Sequence, residues 1–549
     1  MTDTTPPLPA RLRIELPPTT LFVCVLALAY ALPGLFGHDP WKTEDAIGAG
    51  IVYRMIAYGE WLIPHLAGQV YLDDGPLYYW LAAAFAKLFA FALPLDDGAR
   101  LASAGCVVAT LLLLRAAARE LHGRAAAGGS MMVLLGCLGL MVHAHETLGE
   151  LGMLLGQALA LHGIALAPRK VHKGGIALGL GLAIAWLSKG PFSALPVTVA
   201  ALTVALISPH WRNRRYLVSL AEAVVACAIP VGAWSLWAYS AAPADAALWY
   251  SRQWHEWSLP SVLRAGNTLR TLSWSAWPAW PIAGWLLWER RRRLLEPGLL
   301  LATIAAAVAL LDVFLRADAR EVDVLALLLP LSLLAGPGIE RLRRGAVNAL
   351  VWFGGISFTF FAGLVWVGWI AMMSGFPERL AVRFTALEPG FKASFQALPL
   401  ATALLLTAGW GLVMFRSDVK SPYRSVLYWA CGSTLLWGLI MTLLMPWIDY
   451  GKSYRPVALS LSAALEKALP GGYRCIEGRD LGEAQRAVLD YHADVVTRSG
   501  EPGAAARCPV LLVQAKPGDD DRDLARDWRR IWEGNRPRDR ERYRLYLRR

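Results

Sequence analysis

The sequence predicts an all-α polytopic membrane protein with a small α/β domain at its C-terminal end. Three observations lead there. The 549-residue chain is 56% hydrophobic and only 17% charged, with a mean hydropathy of +0.40, whereas soluble domains carry about 25% charged residues. Its apolar residues fall in separated runs of helix length, on the scale of the about 20 residues that cross a bilayer core. Alternating segments of about 10 residues, the mark of an outer-membrane barrel, are not seen. After residue 446 the composition turns polar. In water such a chain would expose large apolar patches, so secreted, collagenous and disordered classes are excluded.

The Pro-rich opening 1–19 carries Arg11 and Arg13. It does not read as a cleavable signal, and the apolar run 21–36 reads as a retained first span. A polar stretch, 38–74, follows. The next apolar run, 75–94, poses a topological choice. If it crossed, every later basic loop would fall outside, against the tendency of Lys and Arg to stay on the cytoplasmic side. It is therefore placed in the interface as an amphipathic or re-entrant helix, with Tyr78, Tyr79, Trp80 and Lys87 at headgroup depth. The basic loops at 115–124, 169–173, 210–215, 289–293, 340–344 and 416–424 then all face the cytoplasm. About 13 spans result, near 20–36, 99–118, 125–143, 151–167, 174–189, 191–207, 216–240, 273–288, 297–315, 322–339, 346–373, 398–415 and 425–446.

This divides the chain into a transmembrane domain, 1–446, with outer loops 37–98 and 241–272, and a soluble outer domain, 447–549. The latter shows helical patterns near 453–469 and 482–497, a strand at 510–514 and an Arg-rich tail from Arg522. The tail reads as a solvated helix carrying intrahelical pairs. The net charge of +12 is assigned to the cytoplasmic loops and not to nucleic-acid binding, and the 24 Trp fit interfacial anchoring. Of the seven Cys, Cys475 and Cys508 lie in the polar part and can pair in an oxidising compartment.

Charge beside a membrane core is expensive and tends to be functional. The outer face collects Glu44, Asp45, Asp73 and Asp74 in one loop, Glu146 and Glu150 in a second, Lys189 in a short turn, and several Arg in 241–272 and 316–323. A carboxylate can take a proton from an attacking hydroxyl, and guanidinium or ammonium groups stabilise a departing phosphate. The same residues also read as solvated loop charge. His143-Ala-His-Glu146 leaves a divalent metal open as a cofactor. There is no Gly-rich phosphate loop and no dinucleotide fingerprint.

The segment Gly59-Glu-Trp-Leu-Ile-Pro-His65, preceded by the acidic pair Glu44-Asp45 and followed by Pro76-Leu-Tyr-Tyr-Trp80, resembles the first outer loop of the lipid A aminoarabinose transferases and the related protein O-mannosyltransferases. Leu187-Ser-Lys-Gly-Pro191 and Leu327-Leu-Leu-Pro-Leu331 are similar to later segments of that family. The resemblance implies a C-type glycosyltransferase fold in a bacterial inner membrane, with the site and the C-terminal domain in the periplasm. It implies a polyprenyl (undecaprenyl) phosphate-linked sugar donor, a glycolipid acceptor such as lipid A, and contact with membrane lipids, with no nucleic acid. On its pattern Glu44 or Asp45 is the essential acid, although their order is inverted here, and Glu150 matches an acid of the second loop. His65, Tyr78, Tyr79 and Trp80 fall among the site-lining positions. Where the family often has Glu-Lys-Pro, this chain has Asp73-Asp-Gly-Pro76, so either a metal intervenes or phosphate binding passes to Lys189, Arg264, Arg270 or Arg320. A protein acceptor is the first rival reading. A secondary transporter is the second, disfavoured by the absence of inverted repeats.

Overall fold

A computed structural model describes residues 19–254, 262–316, 320–499, 508–516, 527–537 and 539–549. Nine of its helices are long and apolar enough to cross a membrane, and two shorter apolar helices, Leu21–Ala31 and Pro191–Ile207, accompany them among the described residues. Each of the runs read as spans in the sequence is occupied by a helix. The third is broken. Arg124–Gly136 and Leu138–His143 are separated by Cys137 in extended conformation.

The basic loops gather at one end of the bundle. There Glu120 meets Arg169, Glu289 meets Arg341, and Glu340 meets Tyr423. The acidic loops gather at the other. The helix Leu77–Leu88 begins and ends at the acidic end. Asp74 before it pairs with Lys189, and Asp97 after it accepts from the Gly37 amide. Its 12 residues span about 18 Å, against about 30 Å of hydrocarbon. Because both of its ends lie at the acidic end, the later loops keep the alternation expected from the sequence. Its tyrosines do not face outward, however. Tyr78 and Tyr79 are buried within the protein, and Lys87 lies over the Trp61 ring.

The last span, Tyr423–Leu439, runs through a π-turn, Ile440–Leu444, into the helix Met445–Lys452. Pro446 offers no N–H to the preceding turn and its ring crowds the carbonyl four residues back; the wider turn relieves both. At the acidic end a two-strand hairpin, β1 (His65–Leu66) and β2 (Gln69–Val70), closes the first loop.

The C-terminal part holds β3 (Ile476–Arg479), β4 (Thr497–Ser499), β5 (Val510–Ala515), β6 (Trp528–Gly534) and β7 (Arg542–Arg548) in the order β4-β3-β5-β7-β6. β3 is parallel to β4 and β5, while β7 is antiparallel to β5 and β6. β5 is the near-continuous apolar run expected of a central strand. The helices Arg455–Ala468 and Glu483–Ala493 are where the sequence places them. The described part of the Arg-rich tail is not helical. It forms β6 and β7, whose Arg542 and Arg544 pair across strands with Glu533; residues 522–526 lie outside the described residues. A disulfide joins Cys475 to Cys508.

Candidate active site

The site is assembled where the helix Glu44–Tyr58 begins. Glu44 and Asp45 are adjacent, so they point about 100° apart around the axis. Packing decides which goes where. Gly48 rests on the second loop so closely that a Cβ would stand 1.7 Å from the Thr147 carbonyl oxygen. That contact turns Asp45 inward. Its carboxylate accepts from Arg100 at 2.8 Å and from the Thr147 amide at 2.9 Å. Arg100 is itself wholly buried and also meets Asp97 at 2.9 Å. Glu44 turns outward and meets Arg320 at 3.3 Å, with 14% of its side chain exposed.

A second knot lies beside the first. Gly75 donates its amide to Ser188 at 3.0 Å, and a Cβ there would stand 2.2 Å from the Leu187 carbonyl oxygen. This close approach seats Asp74 on Lys189. From the other side, the helix Pro243–Trp254 holds the strand in place, with Trp249 donating to the Asp74 carbonyl and Gln253 to that of Leu72. Lys189 is bonded to Asp74 and stands 2.7 Å from Glu150, with only 3% of its side chain exposed. Tyr79 donates to Asp74 at 2.5 Å. Beneath Lys189 the remaining space is about 10 Å³, room for one water. Arg320 bridges the two knots. It stands 3.8 Å from Asp73 and 3.9 Å from Glu150, and 30% of its side chain is exposed. Arg252, 42% exposed, flanks Asp73 at 3.7 Å.

Thus Glu44, Glu150, Lys189 and Arg320 come together. Asp45 sits behind them in a closed pair. Arg264 and Arg270 ride on the helix Val262–Ser275, half-buried and exposed respectively, and the cluster is built without them. His65 lies in β1 with Nδ1 2.8 Å from the Ile63 carbonyl oxygen. Tyr78 bonds Ser103 at 2.7 Å, and Trp80 donates to the Trp61 carbonyl at 2.6 Å. Both support the loop, and only Tyr79 touches the charged knot. The His143-Ala-His-Glu146 donors diverge: His143 meets Glu146 at 2.6 Å, while His145 bonds the Tyr30 carbonyl and stacks on Trp437. Among the described residues no group of three or more His, Cys, Asp or Glu is arranged to hold a metal ion. Arg100 and Arg54 were not singled out from sequence. For Arg100 the signal was present, since Asp96 and Asp97 precede it at helical spacing inside an apolar run.

The two neighbouring carboxyls differ in acidity. Burial pushes Glu44 up to about 7, against the pull of Arg320 and reinforced by Glu150. Burial would raise Asp45 as well, but the Arg100 guanidinium more than offsets it and holds that carboxyl below its ordinary range. Asp74 is raised, because burial outweighs the attraction of Lys189. The arrangement thus offers one proton acceptor poised near neutrality, one partly exposed guanidinium beside it, and a buried ammonium held between two carboxylates.

A bundle of this kind, with a charged cluster on the loops at one end and a small sheet domain beside them, has the C-type glycosyltransferase fold. ArnT from Cupriavidus metallidurans bound to undecaprenyl phosphate superimposes with a TM-score of 0.67 at 16% identity, over 96% of this chain and 97% of that one. Residues 73–237 match the dolichyl-phosphate-mannose-protein mannosyltransferase family model. The chain is 28% identical over 210 residues to undecaprenyl phosphate-alpha-4-amino-4-deoxy-L-arabinose arabinosyl transferase 2 of Sodalis glossinidius (strain morsitans), covering 36% of each chain. It is 26% identical over 251 residues to the arabinosyl transferase of Pseudomonas aeruginosa (strain PAO1), covering 43% of each. The resemblance drawn from the first outer loop is borne out: in the matched stretches the chain is similar to glycosyltransferases named for polyprenyl-phosphate-linked sugars. It spans less than half of the length of the curated relatives it matches.

Proposed function

We propose that this protein moves a sugar from a polyprenyl phosphate carrier to an acceptor hydroxyl at the periplasmic face of the inner membrane, with a glycolipid such as lipid A as acceptor and aminoarabinose as the sugar. The observation that carries the reading is Glu44, a carboxylate poised near neutrality and 3.3 Å from the partly exposed Arg320. A base works best with a pKa near the working pH. In a single displacement the acceptor oxygen bonds the anomeric carbon, its proton passes to Glu44, and the carbon–oxygen bond to phosphate breaks with its electron pair going to the phosphate. Arg320, aided by Arg252, is the group able to meet that charge. Lys189 is too enclosed to touch it and instead fixes Asp74 and Glu150. An apolar groove of about 600 Å³, lined by Leu182, Trp186, Pro191 and Leu195, runs along the helix Val171–Lys189 and suits a prenyl chain.

Purified protein given undecaprenyl-phosphate aminoarabinose and lipid A is expected to release undecaprenyl phosphate and add the sugar, as read by mass spectrometry. The matched family model names protein mannosylation, so a parallel reaction with dolichyl-phosphate mannose and peptide measures the second reading. Folded protein that transfers in neither reaction, yet is active in an unrelated uptake assay, would replace the enzyme with a transporter.

A further inference from the structure

A groove of about 700 Å³ lies between the helices Arg344–Ser374 and Ala397–Arg416 and the first turns of Tyr423–Leu439. The reaction above leaves it unused. It begins at the basic loop 416–424, which supplies Val419 and Arg424 to its wall. That loop belongs to the opposite end of the bundle from Glu44 and Arg320. The walls change in polarity along their length. Asn348 and Arg424 line the groove near the loop, and Ile356 and Phe360 line it further along the helix. Asn348 and Phe360 are 12 residues apart in one helix, about 18 Å along its axis. A hydrocarbon core is about 30 Å thick, so the groove has the depth of one leaflet. Trp352, Ile356 and Phe360 are exposed along it.

Arg424 is held in place from within the protein. Its Nε donates to the Ser417 hydroxyl at 3.0 Å, and its Nη2 to the Tyr428 hydroxyl at 2.6 Å and the Met414 carbonyl at 3.5 Å. The guanidinium lies over the Tyr428 ring at 4.9 Å. All three acceptors are neutral. Among the described residues Arg424 has no carboxylate partner, and its Nη1 donates to nothing. Of the acids in the adjoining loops, Glu340 accepts from Tyr423 at 2.8 Å and Asp418 from the Lys420 amide at 3.0 Å. The Lys420 and Asn348 side chains are exposed, and neither makes a hydrogen bond among the described residues. A guanidinium beside apolar surface with no counter-ion is costly. Basic pockets between membrane helices take anionic lipid headgroups, whereas a zwitterionic headgroup brings an ammonium towards the same cations. A second copy related by a two-fold along the membrane normal presents the same excess of basic residues at this depth, so it is a poor source of the anion.

We propose that this groove binds an anionic glycerophospholipid of the leaflet at the basic end, with its phosphate on Arg424 and Asn348 and an acyl chain along Ile356 and Phe360. The test uses the full chain in neutral detergent and titrates dioleoyl phosphatidylglycerol and dioleoyl phosphatidylcholine, read by native mass spectrometry. Wild type should hold one phosphatidylglycerol about fivefold or more tightly than phosphatidylcholine, as expected for a basic residue at the membrane surface. Arg424→Gln should lose that preference, and Arg424→Lys should keep most of it, which separates lost charge from lost fold. Asn348→Asp disturbs no contact of the folded protein but sets a carboxylate beside Arg424, and should lose the preference too. Arg292→Gln removes the same charge from another basic loop and should leave it intact. Equal binding of the two lipids by wild type overturns the proposal, as does a preference that survives both Arg424→Gln and Asn348→Asp. An equal loss in Arg292→Gln also overturns it, since the preference would then belong to the charge of the whole end. Displacement of phosphatidylglycerol by undecaprenyl phosphate at the same concentration would make the groove a carrier site, and a doubled mass with no retained lipid would make it an interface between copies; either result overturns the proposal.

Discussion

Glu44 and Asp45 share a helical turn but not an environment, and the difference is measurable. Glu44 titrates near 7 because burial disfavours its charge. As the base it must be ionised, so transfer should fall as pH drops through about 7 and level off above it. An unperturbed Glu would place that limb near 4.3. Glu44→Gln should abolish transfer by about a hundredfold or more without lowering the folded yield. A pH–rate profile for wild type and a single-turnover assay for the variant check both. Asp45→Asn should act on stability instead. It takes a charged partner from Arg100, which retains Asp97 at 2.9 Å and Asp96 at 3.4 Å, so the cost should be about 2–3 kcal/mol. Thermal unfolding should show the loss, while folded protein transfers at a rate near wild type. Transfer that is normal in Glu44→Gln and lost in Asp45→Asn would reverse the two roles. The loops bearing Glu44, Glu150, Lys189 and Arg320 were legible because charge beside a membrane core is costly. The choice between Glu44 and Asp45 was not. It depends on how the helix is rotated, and Gly48 against Thr147 sets that rotation through a contact 99 residues away in sequence.

At the scale of elements, hydropathy was enough to place a helix in each apolar run, because it is local in sequence, although nine of the helices, not 13, are long and apolar enough to cross a membrane among the described residues. What it missed was settled by pattern or by packing. In the tail, Arg542-Tyr-Arg-Leu545 alternates, with Tyr543 and Leu545 buried and the arginines turned outward. This period of two marks a strand, but the density of Arg and Glu drew the reading to helical pairs. The break at Cys137 has no proline to announce it, since Gly136 and Cys137 sit in an otherwise apolar run. Orientation is open to direct measurement. Asp96, Asp97 and Gly98 are buried, so labelling must use other positions. Cysteines placed at Phe91, which is 85% exposed, and at Glu466 on the exposed side of Arg455–Ala468 should react with a membrane-impermeant maleimide in intact spheroplasts. Arg292→Cys, in an exposed basic loop, should react only after permeabilisation. Labelling of Arg292→Cys from outside would invert the bundle and move the site to the cytoplasm.

Across the whole molecule, the C-terminal domain grips the same helix whose first turn carries Glu44. Arg54 and Asp490 form a two-pronged bond at 2.6 and 3.0 Å, with 6% and 0% of their side chains exposed. Around it Tyr53 and Tyr58 bond Asp494, Arg486 bonds Gln69, and Tyr491 bonds Asp96. Gly50 lets the helix Glu483–Ala493 approach until a Cβ would meet that of Ala487 at 3.0 Å. Docking thus anchors the helix that carries Glu44. A buried pair is costly to break by halves, about 3–5 kcal/mol, because one charge is left without its partner. Replacing both partners by apolar groups leaves no such charge and is often neutral. Arg54→Met and Asp490→Leu alone should each loosen the domain, raise hydrogen exchange in 483–493 and lower transfer, with the donor KM little changed. The double variant Arg54→Met/Asp490→Leu should recover most of the exchange protection and of the transfer rate. If the single variants exchange faster but transfer normally, the domain does not position Glu44. If the double variant is as slow as the singles and fully protected, the Arg54 and Asp490 side chains act on the reaction by some route other than docking.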